Sequence, residues 1–239
     1  MTHHLLIHLR LLTLALTLCS SLPAISQSIA VYAKDGGRTD FQTKDIESIV
    51  FTDADPLPLN QPSDVKAVDL GLSVKWASCN LGATKETETG AYFAWGETAE
   101  KAVYDWDTYF DADCTATDAL ICGSPQDAAY EAWGGPWRLP TLAEMQELCE
   151  RCSWTWQTKN GAVGCLVTGP NGASIFLPAA GVKQGNETYL PTTFGAYLTG
   201  TRDAANRYYA RSLVFYKDAS HWIDTNLRDY GQVLRPVRR

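Results

Sequence analysis

The feature that most constrains the fold is one capped amphipathic helix followed directly by strand-like sequence. Thr141 and Glu144 have the spacing of a capping box, in which each side chain bonds the backbone N–H of the other residue. Apolar residues recur there at steps of three and four, which places them on one stripe of a helix. The stripe consists of Leu142, Met145, Leu148, Cys149 and Cys152. We therefore predict a helix in "LPTLAEMQELCERCSW", capped by Thr141.

After this helix the apolar period changes to two. The runs "WTWQT" and "AVGCLVT" flank Asn160-Gly161, and Asn-Gly between apolar runs is a strong hairpin signal. Further short strand-like runs are "ASIFLPAAG", "GAYLTG", "RYYARSLVFY", "HWIDT" and "GQVLRPV". Upstream, "AVDLGLSVKWAS" and "GAYFAWGE" also have strand character, and 126–132 favours a short helix. One main helix with several short antiparallel strands predicts an α+β domain.

The first 26 residues have the composition of a secretory signal peptide. Arg10 precedes the apolar run 11–18, and the small-x-small triplet Ala24-Ile25-Ser26 follows. The run is shorter than the roughly 20 residues that span a bilayer. We predict cleavage after Ser26 and export to the periplasm, the cell surface or the medium. Lipidation at Cys19 is the alternative, disfavoured by the bulky Leu18 before it.

Three segments follow the signal peptide. Residues 27–53 predict a small β-hairpin element, with a turn at Asp35-Gly36-Gly37 and a second β-prone run at 48–51. Residues 54–66 contain three prolines and predict a stiff linker. Residues 67–239 form the main domain, because all eight tryptophans lie there.

Cleavage also changes the charge and the supply of reactive side chains. One basic and no acidic residue leave with the signal, so 19 basic and 27 acidic residues remain, a net charge of −8. This balance argues against a nucleic-acid partner, whose phosphates need a basic face. His221 becomes the only histidine, and six of the seven cysteines are kept.

The pair Cys149 and Cys152 has the C-x-x-C spacing of zinc and redox sites. Zinc needs four ligands, and no second C-x-x-C exists. Redox centres place the reactive thiol at a helix N-terminus, whereas these cysteines end the helix. We therefore interpret both as core residues, either as thiols or cross-linked to another element, with Cys165 the more useful partner.

Six cysteines allow 15 disulfide pairings, which the sequence alone cannot choose among. We predict a bond between Cys114 and Cys122. Both lie in the polar insertion 100–135, where free thiols would be exposed to an oxidising compartment.

Catalytic motifs are missing from the mature sequence. It has no G-x-S-x-G, P-loop, H-E-x-x-H or G-x-G-x-x-G, and a triad would have to use His221. A pair of carboxylates in the acidic insertion stays open as a hydrolytic site, although surface exposure is the simpler interpretation of these side chains. The acidic residues considered are Glu88, Glu97, Asp105, Asp107, Asp111 and Asp113. We expect no enzyme activity, no metal and no cofactor.

Six blocks in fixed order carry a family resemblance: "AVDLGLSVKWASCNLGA", "GAYFAWGET", "WRLPTLAEMQEL", "CSWTWQTKNG", "VTGPNGASIFLPAAG" and "RDYGQVLRPV". Over roughly 67–237 the chain resembles the exported Fibrobacter-type major paralogous domain proteins of Bacteroidetes, and the related Lcl-C-terminal-type domains. The resemblance implies a C-type-lectin-like fold of the formylglycine-generating subtype, with paired first and last strands and a binding surface near the C-terminus. The calcium-dependent sugar-binding tripeptides and the late cysteine pair of the formylglycine-generating enzymes are absent.

The end of the domain also resembles the variable regions of retroelement-diversified proteins on this fold. Tyr and Trp supply rigid contact area there, and Asn and His add adaptable hydrogen bonds. We expect an exported, non-catalytic module that binds a protein or glycan, and alternatively a structural or adhesive part of a surface assembly. The predicted ligand-binding residues are Arg202, Asn206, Tyr208, Tyr216, His221, Trp222, Asp224 and Asn226. They are expected to share one exposed face.

Overall fold

The structure is a computed structural model that describes residues 62–115 and 119–239 and, nearer the N-terminus, the backbone of four strands. The chain divides into two compact units, Met1–Pro56 and Leu57–Arg239. Residues 7–27 and 51–61 lie outside the described residues. Signal-peptide cleavage, lipidation at Cys19 and the stiffness of most of the linker therefore remain predictions.

The first unit contains two pairs of strands. Strand β1 (His3–Leu6) pairs in parallel with β4 (Ile46–Val50), and β2 (Ser28–Tyr32) pairs antiparallel with β3 (Arg38–Gln42). The partner of β2 is thus the next strand along the chain, and the described part of the β-prone run, 48–50, belongs to β4 instead. The predicted turn at 35–37 lies outside the described residues. The shorter connection closes at a smaller entropic cost, which favours the neighbouring strand.

The second unit is built from small, mostly antiparallel sheets and two helices. A three-stranded sheet joins its two ends, in the order β15 (Val237–Arg238), β6 (Lys75–Ala77), β5 (Ala67–Val68), as predicted from the first and last runs. The other elements form a three-stranded sheet β7-β8-β9, a hairpin β10-β11 and a three-stranded sheet β12-β13-β14. Their bounds are α1 Ala128–Trp133, α2 Leu142–Arg151, β7 Ser153–Lys159, β8 Ala162–Thr168, β9 Ser174–Pro178, β10 Val182–Gln184, β11 Glu187–Tyr189, β12 Phe194–Arg202, β13 Tyr209–Tyr216 and β14 His221–Leu227.

The predicted helix and hairpin are confirmed in detail. Helix α2 starts after Thr141, and both bonds of the capping box with Glu144 are present. The β7–β8 turn places Asn160 at φ 48° and Gly161 at φ 83°. Two successive left-handed residues are what a two-residue type I′ hairpin requires, which explains the Asn-Gly pair. The short helix is also present as α1, where the Asp127 side chain accepts hydrogen bonds from the backbone N–H groups of Ala129 and Tyr130.

The strand expected in "GAYFAWGE" is wrong. Residues 90–97 are irregular apart from a single bridge between Phe93 and Gln232. Phe93, Ala94 and Trp95 are buried in succession rather than alternately. Loop backbone replaces the strand because its N–H groups bond the C-terminal segment, Phe93 to Gln232 and Trp95 to Arg228.

Two large apolar clusters fill the second unit. One packs Trp95, Trp133 and Trp137 around Leu198 and Leu234. The other packs Trp76, α2, β8 and β9 against the sheet β12-β13-β14, including Tyr197, Leu213 and Phe215. Both clusters include residues of the last strands and of the C-terminal segment 233–237, so that segment is central to the packing.

Candidate ligand-binding surface

Alternation along β13 and β14 decides which predicted site residues can meet. Val214 lies opposite Trp222, Ser212 opposite Asp224 and Ala210 opposite Asn226. Since successive side chains point to opposite sides of a sheet, Tyr216, Trp222, Asp224 and Asn226 lie on one side. We call this side the aromatic face. Its opposite, the core face, carries Leu213 and Phe215.

The exposed part of the aromatic face is a stacked ring pair. The Tyr216 and Trp222 rings lie 5.4 Å apart between centroids and 19° from parallel. Phe194 extends the row, with its centroid 4.8 Å from that of Tyr216. Trp222 is 43% exposed and Tyr216 36%. Val182 and Tyr230 cover the neighbouring Val214 and Ala196, so the open area is the margin along β14.

A carboxylate fixes the orientation of the exposed indole. Trp222 Nε1 donates to Asp224 Oδ2 at 3.3 Å, and the backbone N–H of Thr225 donates to Asp224 Oδ1 at 2.8 Å. One ring face of Trp222 is covered by Tyr216, and its N–H is held by Asp224. The surface is therefore ordered before any partner arrives, a property that lowers the entropic cost of binding.

His221 does not belong to this face, which corrects the prediction. Its ring stacks on Trp154 at 4.3 Å between centroids and 15° between planes. Nδ1 lies 2.8 Å from the carbonyl oxygen of Ala219, and Nε2 lies 3.2 Å from that of Cys149. The alternation of β14 places His221 on the core face, where it joins the sheet to the end of α2.

Three other predicted residues lie at the far end of the hairpin. Tyr208 precedes β13, and seven residues of strand separate it from Tyr216 by about 25 Å. Its ring is 40% exposed and contacts the edge of Trp106, with centroids 5.8 Å apart. Asn206 Oδ1 accepts the Tyr208 N–H. Arg202 on β12 lies opposite Ala210, which also pairs with Asn226, so Arg202 shares the side of Asn226 at the far end of the sheet. The predicted residues thus spread along the sheet and its loop and do not form one continuous face.

Sequence reasoning missed a buried ion pair between the insertion and the C-terminal segment. Arg228 Nη2 lies 2.8 Å from Asp111 Oδ2, and Arg228 is completely buried. The guanidinium lies 4.5 Å from the Trp95 ring centroid and 5.5 Å from that of Tyr109. Its Nη1 donates to the carbonyl oxygen of Arg207. Asp111 is therefore not the solvated surface residue that the sequence indicated.

A second buried arginine also escaped notice. Arg235 donates from Nε to Asn80 Oδ1 at 2.8 Å, from Nη1 to the Ala77 carbonyl at 2.9 Å and from Nη2 to the Phe176 carbonyl at 2.7 Å. Asn80 in turn donates to the Tyr197 hydroxyl. The signal for it was a charged residue inside the apolar run "VLRPV", which a buried position would explain.

The cysteines are packing residues. Cys149 and Cys152 lie against the second cluster and Cys165 inside it, as interpreted from the helix stripe. Burial raises the pKa of Cys149 and of Cys165 to about 12, which keeps both as unreactive thiols. All six cysteines of the described residues are free, so the predicted Cys114–Cys122 bond is not formed. Cys114 lies beside Asp111 and Arg228, whereas the Cys122 sulfur packs on Gly200 in the first cluster.

Asp229 gives the fold a specific pH dependence. The residue is 3% exposed, and its Oδ1 has no hydrogen-bond partner among the described residues. Burial raises the pKa of Asp229 to about 6, above the value of about 3.9 in an unfolded chain. The folded state then holds this proton more tightly, so stability is lost as the pH rises from about 4 to about 6 and is constant above.

We expect Asp229→Asn to remove this loss. The difference in unfolding free energy between variant and wild type should shift in favour of the variant by up to about 2 kcal/mol between pH 4 and pH 7. Urea denaturation at a series of pH values measures it. Asp127, whose pKa burial also raises to about 6, contributes to both proteins and cancels. Parallel stability profiles for the two proteins would contradict the assignment.

No protein-family model, curated protein or solved structure matches this chain. Within the described residues, no group of three or more His, Cys, Asp or Glu side chains is placed to hold a metal ion. No helix among them is both long and apolar enough to cross a membrane.

Proposed function

We propose that this protein is an exported, non-catalytic binding module that captures a protein or glycan ligand on the aromatic face. The exposed, preordered pair of Tyr216 and Trp222 carries the proposal. Large rings that are accessible before binding are the side chains that dominate binding energies. Clustered exposed apolar side chains mark interaction sites.

We also propose a C-type-lectin-like fold for the second unit. The three-stranded sheet β15-β6-β5 supports it, because it brings the first and last runs of the unit together, as the family resemblance implies. The family resemblance implies a binding surface near the C-terminus, and the aromatic face lies on the penultimate strand. Export rests on the apolar run and cleavage triplet of residues 1–26.

Adjacent residues of β14 provide a matched test of the proposed function. Trp222 points to the aromatic face and His221 to the core face, so the two alanine substitutions separate binding from stability. Trp222→Ala should weaken ligand capture at least 10-fold, because a central aromatic contributes about 2 kcal/mol or more. Loss of the stack on Tyr216 should cost about 0.5–1.5 kcal/mol, a fall of a few degrees in melting temperature, so ligand capture is the measurement that separates the two variants.

His221→Ala should leave ligand capture unchanged and lower stability alone. Loss of the Trp154 stack and the bond to the end of α2 should cost about 1–2 kcal/mol, a fall of a few degrees in melting temperature, with ligand affinity unchanged. Wild type and both variants would be compared on arrays of oligosaccharides and of secreted proteins, with calorimetry in parallel. Capture by wild type that persists in Trp222→Ala would refute the aromatic face as the binding surface.

A further inference from the structure

We infer that the aromatic face takes a cationic side chain, an arginine presented by a protein partner, over the Trp222 ring and against the Asp224 carboxylate. This inference rests on the proposed function and narrows its ligand. It follows from the cation contacts of other aromatic rings in this chain and from the charged residues near β14.

Six aromatic rings of the second unit have a cation from the same chain close to the ring. Lys183 lies 4.8 Å from the Tyr92 centroid, Arg207 5.1 Å from that of Tyr208, and Arg238 5.7 Å from that of Trp137. Arg228 lies over the Trp95 ring, and Lys101 lies over the rings of Tyr104 and Tyr109. Among the described residues no Lys or Arg lies over Trp222 or Tyr216. Tryptophan is the aromatic side chain that binds cations best.

The Asp224 carboxylate beside Trp222 can accept further hydrogen bonds. A carboxylate accepts about four hydrogen bonds, and Asp224 uses one oxygen for the Trp222 indole and the other for the Thr225 N–H. Asp224 is exposed, so its remaining lone pairs face solvent. A donor group resting on the indole would lie next to this carboxylate.

The surrounding charges favour a cation over an anion. Asp224 and Asp218 are exposed near the ring pair, and Lys217 is the neighbouring cation. The Asp218 carboxylate is already bonded by Ser220, through both its backbone N–H and its hydroxyl. Asp224 is therefore the carboxylate that can attract a cation to the exposed ring of Trp222. A guanidinium is planar, stacks on aromatic faces and pairs with carboxylates through two parallel bonds, which makes arginine a better fit than lysine.

The test is a titration of the full exported chain, observed through the indole N–H of Trp222 and the amide N–H of Thr225 by NMR. The probe is the peptide acetyl-Gly-Arg-Gly-amide, with the glutamine analogue and cellohexaose as comparisons, and Trp222→Phe identifies the indole signal. We expect both signals to shift saturably with the arginine peptide only. Affinity should fall when NaCl rises from about 50 mM to about 500 mM, because the charges are exposed.

Two aspartate variants sharpen the result. Asp224→Asn should weaken binding of the arginine peptide about 3-fold. Asp218→Asn, in the turn between β13 and β14, should change the affinity for this peptide less. Equal shifts with the glutamine peptide, shifts with cellohexaose instead, or no shift with any probe would each overturn the inference. A cellohexaose shift would leave the proposed function standing with another ligand class, and the alanine pair at 221 and 222 decides that function independently.

Discussion

Arg235→Met is expected to destabilise the second unit by more than about 3 kcal/mol. The guanidinium is completely buried and donates to three acceptors on two segments, Ala77 and Asn80 at the end of β6 and Phe176 on β9. Methionine fills similar space but donates nothing. Each buried acceptor left without a donor costs about 1–3 kcal/mol, partly offset because a charge is no longer desolvated.

Denaturation by urea, followed by tryptophan fluorescence, measures this effect. Arg235→Lys should recover only part of the loss, since one ammonium cannot reach all three acceptors in the fork geometry of arginine. Arg151→Met is the matched control, because Arg151 is more than half exposed and pairs with Glu147 on the surface of α2. That change should cost less than about 1 kcal/mol. Equal stability of Arg235→Met and wild type would show that the carbonyls find other donors.

Arg228→Met is expected to cost about 3–5 kcal/mol, because it leaves the Asp111 carboxylate buried without its cation. Arg235 bonds two strands, β6 and β9, whereas Arg228 joins two loops. It bonds the Arg207 carbonyl, and its own N–H donates to Tyr208, so it anchors the loop before β13. Hydrogen exchange should accelerate in 105–115 and 203–209 and stay slow in α2.

The double variant Asp111→Leu with Arg228→Met separates the contribution of the ion pair to the free energy of unfolding from that of side-chain packing. Removing both partners avoids the isolated buried carboxylate, so the double variant should be more stable than Arg228→Met alone. Thr115 loses an acceptor in that background, because its N–H and hydroxyl bond Asp111 Oδ1, so recovery should be incomplete. Additive costs of the two single substitutions would show that the ion pair contributes no coupling energy.

The local elements follow from the sequence because their signals are local. The capping box of Thr141 and Glu144 and the left-handed pair Asn160-Gly161 depend on residues within a few positions of each other. Period-two runs likewise predicted β7, β8, β12, β13 and β14. The exposed Tyr216 and Trp222 were identified because rings and polar residues alternate along this hairpin.

Long-range contacts explain what the sequence did not reveal. "GAYFAWGE" has strand composition, yet its N–H groups bond the C-terminal segment, so it is a buried loop. Asp111 and Arg228 lie 117 positions apart, and no local sequence pattern around either residue predicts the ion pair.

The sequence by itself determined the α+β character, the capped helix, the Asn-Gly hairpin and the presence of a ring-rich C-terminal strand pair, because each depends on neighbouring residues. Only the tertiary structure decided which face each side chain joins and which charges are buried. His221 and Trp222 are adjacent in the chain, but the strand pleat sends one against Trp154 and leaves the other exposed. That outcome depends on which side of the sheet the core packs, and packing is a property of the whole chain.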